Sequence, residues 1–216
     1  LLNAAAVAGK RFDVAVLQEV TGQDEPTLVA ALKDLLAAQL VVEESADVFV
    51  FRHTLTQQAV YAGLLARERR ALHRTIAQTL ERRTAELDAR PWPELAYHFE
   101  QAGDWARVLK YAPRAGERAQ AMYAPQAAII HFSQALTAAQ HVGAPPAMSV
   151  LRQRAQAFDT VGRFDEAQAD YEMVLQLARQ QGDAAAEWHG LSDLGTLWTA
   201  RDYERAGGYF RRALDL

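Results

Sequence analysis

The chain has 216 residues and a formal net charge of −4 at pH 7, long enough for one large domain or two small ones and without a global basic field to draw it to nucleic acid or anionic lipid. It has no cysteine, which excludes disulfides, thiol catalysis and cysteine–zinc sites. About one residue in five is alanine, the residue that loses least on entering a helix, and no apolar run approaches the ~20 residues that span a bilayer. A mainly α, cytoplasmic protein is expected, with no membrane partner. Leu1-Leu2-Asn3-Ala4-Ala5-Ala6 lacks the basic start of a signal peptide. It reads as the middle of a helix, as in a piece of a larger protein.

Residues 1–8 are predicted to form a short helix. Phe12, Val16 and Val20, four apart, predict a second helix over 12–20. Gln23-Asp24-Glu25-Pro26 is a helix start, with acids and proline in the first turn. Leu28, Leu32, Leu35 and Leu36 then form one apolar stripe. After Leu40 the period changes: Val41-Val42-Glu43-Glu44, a polar Ser45-Ala46-Asp47 turn and Val48-Phe49-Val50-Phe51 predict a single small β-hairpin. Three helices followed by a two-stranded wing is the winged-helix plan. Thr54 and Gln57 have capping-box spacing, and the helix they would start should carry Leu55, Ala59 and Ala62 inward.

Further along, a helical-hairpin unit starts at Leu95-Ala96-Tyr97-His98-Phe99, turns at Gly103-Asp104-Trp105 and continues through Leu109. Pro113 lies inside the next helix pattern, where it removes one hydrogen bond and should kink the helix. A true repeat follows. Ala128, Phe132 and Ala135-Leu136 recur 39 residues later as Ala167, Tyr171 and Val174-Leu175, and again as Ala206, Phe210 and Ala213-Leu214. Gly143 and Gly182 share that offset. Each aromatic should fill the gap between repeats, with small residues at the helix crossings.

This pattern resembles the tetratricopeptide repeat, although the period is about five residues longer, Arg154 stands where a leucine is usual and Val174 where alanine is usual. The whole chain, with runs such as LLNAAAVAGKRFDVAVLQEVTG and LKDLLAAQLVVEES, resembles the winged-helix and repeat region of STAND-type signalling ATPases. Large LuxR-type, MalT-like regulators and cyclase-associated ATPase modules share this order of parts. The resemblance implies a winged-helix domain at 1–53, connecting helices at 54–93, and a repeat solenoid at 94–216 whose last unit is incomplete. It also implies an upstream nucleotide-binding domain acting in cis, with ATP or ADP bound by the full-length protein. No G-x-x-x-x-G-K-[ST] loop is present, so no cofactor is expected in this segment. By the same resemblance, His53 would donate to the β-phosphate of bound ADP; otherwise it is a histidine packed at a helix start.

In the solenoid, the first helix of each hairpin should line a concave side. Around Ala155 that side would present Arg152, Gln156 and Asp159; around Gly195 it would present Ser192, Thr196 and Thr199, with His189 one turn earlier. These polar, mostly short side chains suit a protein, a peptide or a small inducer rather than a polyanion. Arg67, Arg70 and Arg74 share one helix face. They read either as a phosphate contact or as a solvated face paired with Glu68, Glu81 and Glu86. A DNA-binding winged-helix transcription factor is the rival reading. It is disfavoured because residues 24–39, at the recognition-helix position, carry Asp24, Glu25 and Asp34 against one lysine, Lys33. The remaining histidines have no zinc-like spacing, and no catalytic constellation can be placed on one cleft. A non-enzymatic interaction module, without metal, is expected.

Overall fold

A computed structural model describes residues 1–85 and 91–216. Twelve helices and three short strands are formed among the described residues, and about three quarters of those residues are helical. The chain divides into two compact units, Leu1–Asp104 and Trp105–Leu216.

The first unit runs α1 (Leu2–Ala8), β1 (Arg11–Asp13), α2 (Val14–Thr21), α3 (Glu25–Ala37), β2 (Val41–Ser45), β3 (Val48–Phe51), α4 (Thr54–Gly63), α5 (Ala66–Arg83) and α6 (Trp92–Ala102). The expected hairpin is there, but it is two strands of a three-stranded antiparallel sheet of order β1-β3-β2. Phe12 therefore begins no helix. It sits opposite Phe49 in the β1–β3 register and packs among Phe49, Phe51, Leu17, Leu28 and Leu32. Asp13 then ends the strand and caps α2, accepting the Val16 N–H at 3.0 Å. Asp24 does the same for α3, from Thr27 at 3.3 Å.

Two further expectations are corrected around α4. No side chain caps it: the backbone carbonyl of His53 accepts from Thr56 and Gln57. Gln57 instead donates to the Ala6 carbonyl of α1 at 2.6 Å. That tether sets the helix rotation, so Val60, Tyr61 and Leu64 pack inward while Leu55, Ala59 and Ala62 are exposed.

The second unit is three helical hairpins: α7 (Trp105–Ala121) with α8 (Pro125–Val142), α9 (Met148–Thr160) with α10 (Phe164–Gln181), and α11 (Ala184–Trp198) with α12 (Tyr203–Leu214). Helix α7 continues through Pro113. The 39-residue offset corresponds to one hairpin. Ala128, Ala167 and Ala206 are all buried, and Gly143 and Gly182 end α8 and α10 in left-handed conformation, φ 70° and 67°. At the crossings the fit is close. A Cβ placed on Gly116 would lie 2.4 Å from the Phe132 ring, and one on Gly195 2.6 Å from Phe210. Arg154, the departure from leucine, has its own partner. Its guanidinium makes two 2.7 Å bonds to the Asp170 carboxylate and a 3.1 Å bond to Ser133, so the charged side chain is satisfied where it is half-buried.

Candidate functional site

Helices α9 and α11 are the leading helices of successive hairpins, and α10 packs against both. Between them lies a cavity of about 290 Å³. Gln156, Asp159 and Thr160 reach it from α9, Thr196 and Asp193 from α11, and Tyr171 from α10. A second hollow of about 360 Å³ adjoins it, lined by Gln120 and Tyr123 and sharing Gln156 and Thr160. Together they form one groove crossing α7, α9 and α11. Gln120 ties the first two of these helices, donating to the Gln153 carbonyl at 3.1 Å.

The residues named from the sequence divide three ways. Gln156, Asp159 and Thr196 line the groove. Arg152 is beside it but is not a free contact: it forms a bidentate pair with Asp193, one of whose bonds measures 3.0 Å. That carboxylate holds the guanidinium pKa above its ordinary value. Substitution of Arg152 is therefore not neutral for stability, as a purely exposed site would be. His189, Ser192 and Thr199 line neither hollow. His189 stands edge-on to Trp188, and the Thr199 hydroxyl bonds back to the Gly195 carbonyl at 2.9 Å.

The threonines in the groove are not available donors either. Thr160 donates to the Gln156 carbonyl at 2.8 Å and Thr196 to the Ser192 carbonyl at 3.0 Å. Each hydroxyl has spent its one hydrogen on its own helix and offers only lone pairs to a ligand.

Tyr171 and Asp193 were missed by the sequence reading. The repeat aromatic is phenylalanine at 132 and 210 and tyrosine only at 171, which was the one legible signal. A hydroxyl added at a buried filler position needs a destination. Tyr171 is 5% exposed and lines the groove. Burial, and then the charges of Asp193 and Asp159, push its pKa well above the ordinary phenol value.

In the first unit, His53 is exposed at the exit from β3. On α5, Arg67, Arg70 and Arg74 share an open face, and Arg74 also donates to the Ala102 carbonyl. Glu68 accepts the Leu65 N–H, and Arg82 and Arg83 both reach Glu19 on α2. Glu86 lies outside the described residues. Exposed Glu25 and Asp34 flank Lys33 on α3, beside a hollow of about 360 Å³ that Glu43 and Asp47 also line. Among the described residues, no group of three or more His, Cys, Asp or Glu side chains could hold a metal. No described helix is long and apolar enough to cross a membrane.

Neither a family model nor a curated protein matches the chain. Among solved structures, BtubC (BKLC) from P. vanneervenii aligns over 94% of this chain and 89% of its own, with TM-score 0.46 and 16% identity.

Proposed function

We propose that the chain is a non-catalytic regulatory and interaction segment of a STAND-type signalling ATPase. Its repeat unit holds a protein, peptide or small inducer in the α7–α9–α11 groove. Within its first unit, residues 1–53 act as a winged helix that couples this event to a nucleotide-binding core in cis. The observation that carries the reading is the groove itself, built by leading helices of consecutive hairpins as repeat scaffolds build their binding surfaces. The order α1-β1-α2-α3-β2-β3, with β1 closing the sheet onto β3, supports the winged-helix part. In the full-length protein the exposed His53 imidazole contacts the phosphates of ADP, and the ATP or ADP is held by the upstream core.

The test is to fill the groove. Gln156→Arg with Thr196→Arg, both exposed positions, should abolish partner capture by the full-length protein while leaving its melting temperature unchanged. Capture that survives in a folded double variant would move the binding surface elsewhere and end this reading. Acidic residues on and around α3 oppose the rival DNA-binding reading, since phosphates would be repelled there.

A further inference from the structure

We propose that the groove between α9 and α11 selects an extended peptide through a lysine or arginine side chain, whose cationic head is received by Asp159 and Tyr171. This rests on the groove being the binding surface and adds the chemistry of its occupant.

Three observations lead to a cation. The first is the balance of charge. Arg152 and Asp193 neutralise each other in their bidentate pair. Asp170, behind Tyr171, is neutralised by Arg154. Asp159 is left as a carboxylate with no ion-pair or hydrogen-bond partner among the described residues, at the edge of the cavity. The second is the supply of hydrogen bonds. Thr160 and Thr196 have committed their hydrogens to their own helices, so these two hydroxyls, like the Asp159 carboxylate, offer only lone pairs. A group that meets them brings donors, and an ammonium or guanidinium brings three to five and no acceptor. The third is Tyr171. It is more than nine-tenths buried and lines the cavity, yet no described group hydrogen-bonds to its hydroxyl. Burial first, and then the charges of Asp193 and Asp159, disfavour ionisation of that oxygen against the opposing charge of Arg152. With Arg152 and Arg154 each held by a carboxylate, Asp159 supplies the unbalanced negative charge beside it.

The rest of the groove argues for a chain rather than a free amine. Gln120 and Gln156 flank the adjoining hollow, and a carboxamide both donates and accepts, as an extended peptide backbone requires. Exposed Tyr123 stands at its edge and offers apolar area for a neighbouring side chain.

The experiment uses the whole 216-residue chain and four fluorescein-labelled nonapeptide pools, randomised except at the central residue, which is lysine, arginine, glutamate or norleucine. Anisotropy should show the lysine and arginine pools binding at least tenfold more tightly than the other two. Asp159→Asn and Tyr171→Phe should each erase most of that preference, by roughly tenfold, as expected for loss of a hydrogen bond to a charged group. Both variants should fold, since Asp159 is exposed and phenylalanine already fills the other two copies. Equal binding of lysine and norleucine pools, or undiminished preference in folded Asp159→Asn, overturns the proposal. Cadaverine competing as strongly as the lysine pool also overturns it, by making the site one for free amines. Glutamate-pool binding that is lost on filling the groove overturns the cation assignment while upholding the groove. Selective lysine-pool binding that survives in the filled variant overturns both.

Discussion

His73 and His98 are buried against one another, with their Nδ1 atoms 2.8 Å apart and the Tyr61 hydroxyl 3.0 Å from His73 Nε2. The chain is satisfied with both rings neutral: Tyr61 donates to His73, His73 donates to His98, and His98 keeps its proton on Nε2. Protonating both rings sets their Nδ1–H groups against each other. Burial pushes His73 down to about 4 and His98 to about 3. Because the folded values lie below the unfolded value of ~6.5, the contribution to stability is complete above that pH and is lost as the pH falls through it toward 4. One such histidine costs about 2 kcal/mol at pH 5. Urea midpoints at pH 7 and pH 5 should differ accordingly, and equal midpoints would show that the pair is not held neutral. A second residue-scale expectation concerns Asp170. Removing it as Asp170→Ala leaves the Arg154 side chain, 21% exposed, without its carboxylate. The loss should be ~3 kcal/mol, at the low end for a buried pair. Arg154→Leu with Asp170→Leu should recover most of it, because two apolar side chains leave no charge unpaired. Unfolding curves in which the single and double variants coincide would show that the pair is not coupled.

At the scale of elements, two of the hairpins set a glycine against an aromatic, Gly116 against Phe132 and Gly195 against Phe210, and the two crossings differ in how much they can yield. Phe132 is fully buried, whereas Phe210 is 38% exposed. Gly116→Ala should therefore cost ~1–3 kcal/mol through overpacking, less the ~1 kcal/mol by which alanine favours a helix. At Gly195→Ala the Phe210 ring can swing toward solvent, and the helix gain should leave stability equal or improved. Thermal melts of the two variants should separate in that order; the reverse order would mean that Phe132 has room it does not show here. Elements also explain the three-residue strand that the sequence hid. Arg11-Phe12-Asp13 has one inward residue and so no period to read, while Phe12, Val16 and Val20 happen to keep helical spacing. Only the pairing with β3 makes Phe12 part of a sheet.

At the scale of the whole molecule, the net charge of −4 is not evenly spread: Arg67, Arg70 and Arg74 form an open basic face on α5, while Glu25 and Asp34 are exposed on α3. Reading a DNA groove would require α3 to approach phosphates, against its own charge. A 30-base-pair duplex should show no shift with this chain at ~0.1 M salt, where the Debye length is ~10 Å. A shift that weakens steeply with added salt would reinstate the transcription-factor reading.

The sequence by itself determined the helical class, the β2–β3 hairpin and the 39-residue hairpin period, because each is written in local spacing: glycine at helix ends, alanine at crossings, an apolar stripe every three to four residues. It also placed Gln156, Asp159 and Thr196 on a common face, since helical phase carries outward positions as surely as inward ones. Tertiary structure decided what those positions are free to do. Arg152 is spent on Asp193 forty-one residues away, the groove threonines are spent on carbonyls of their own helices, and Gln57 turns α4 by reaching Ala6. The one repeat aromatic with a hydroxyl lies against a cavity that two other helices enclose. Spacing along a chain fixes which face a side chain takes; which partner exhausts its charge or its hydrogens depends on residues that meet only after folding.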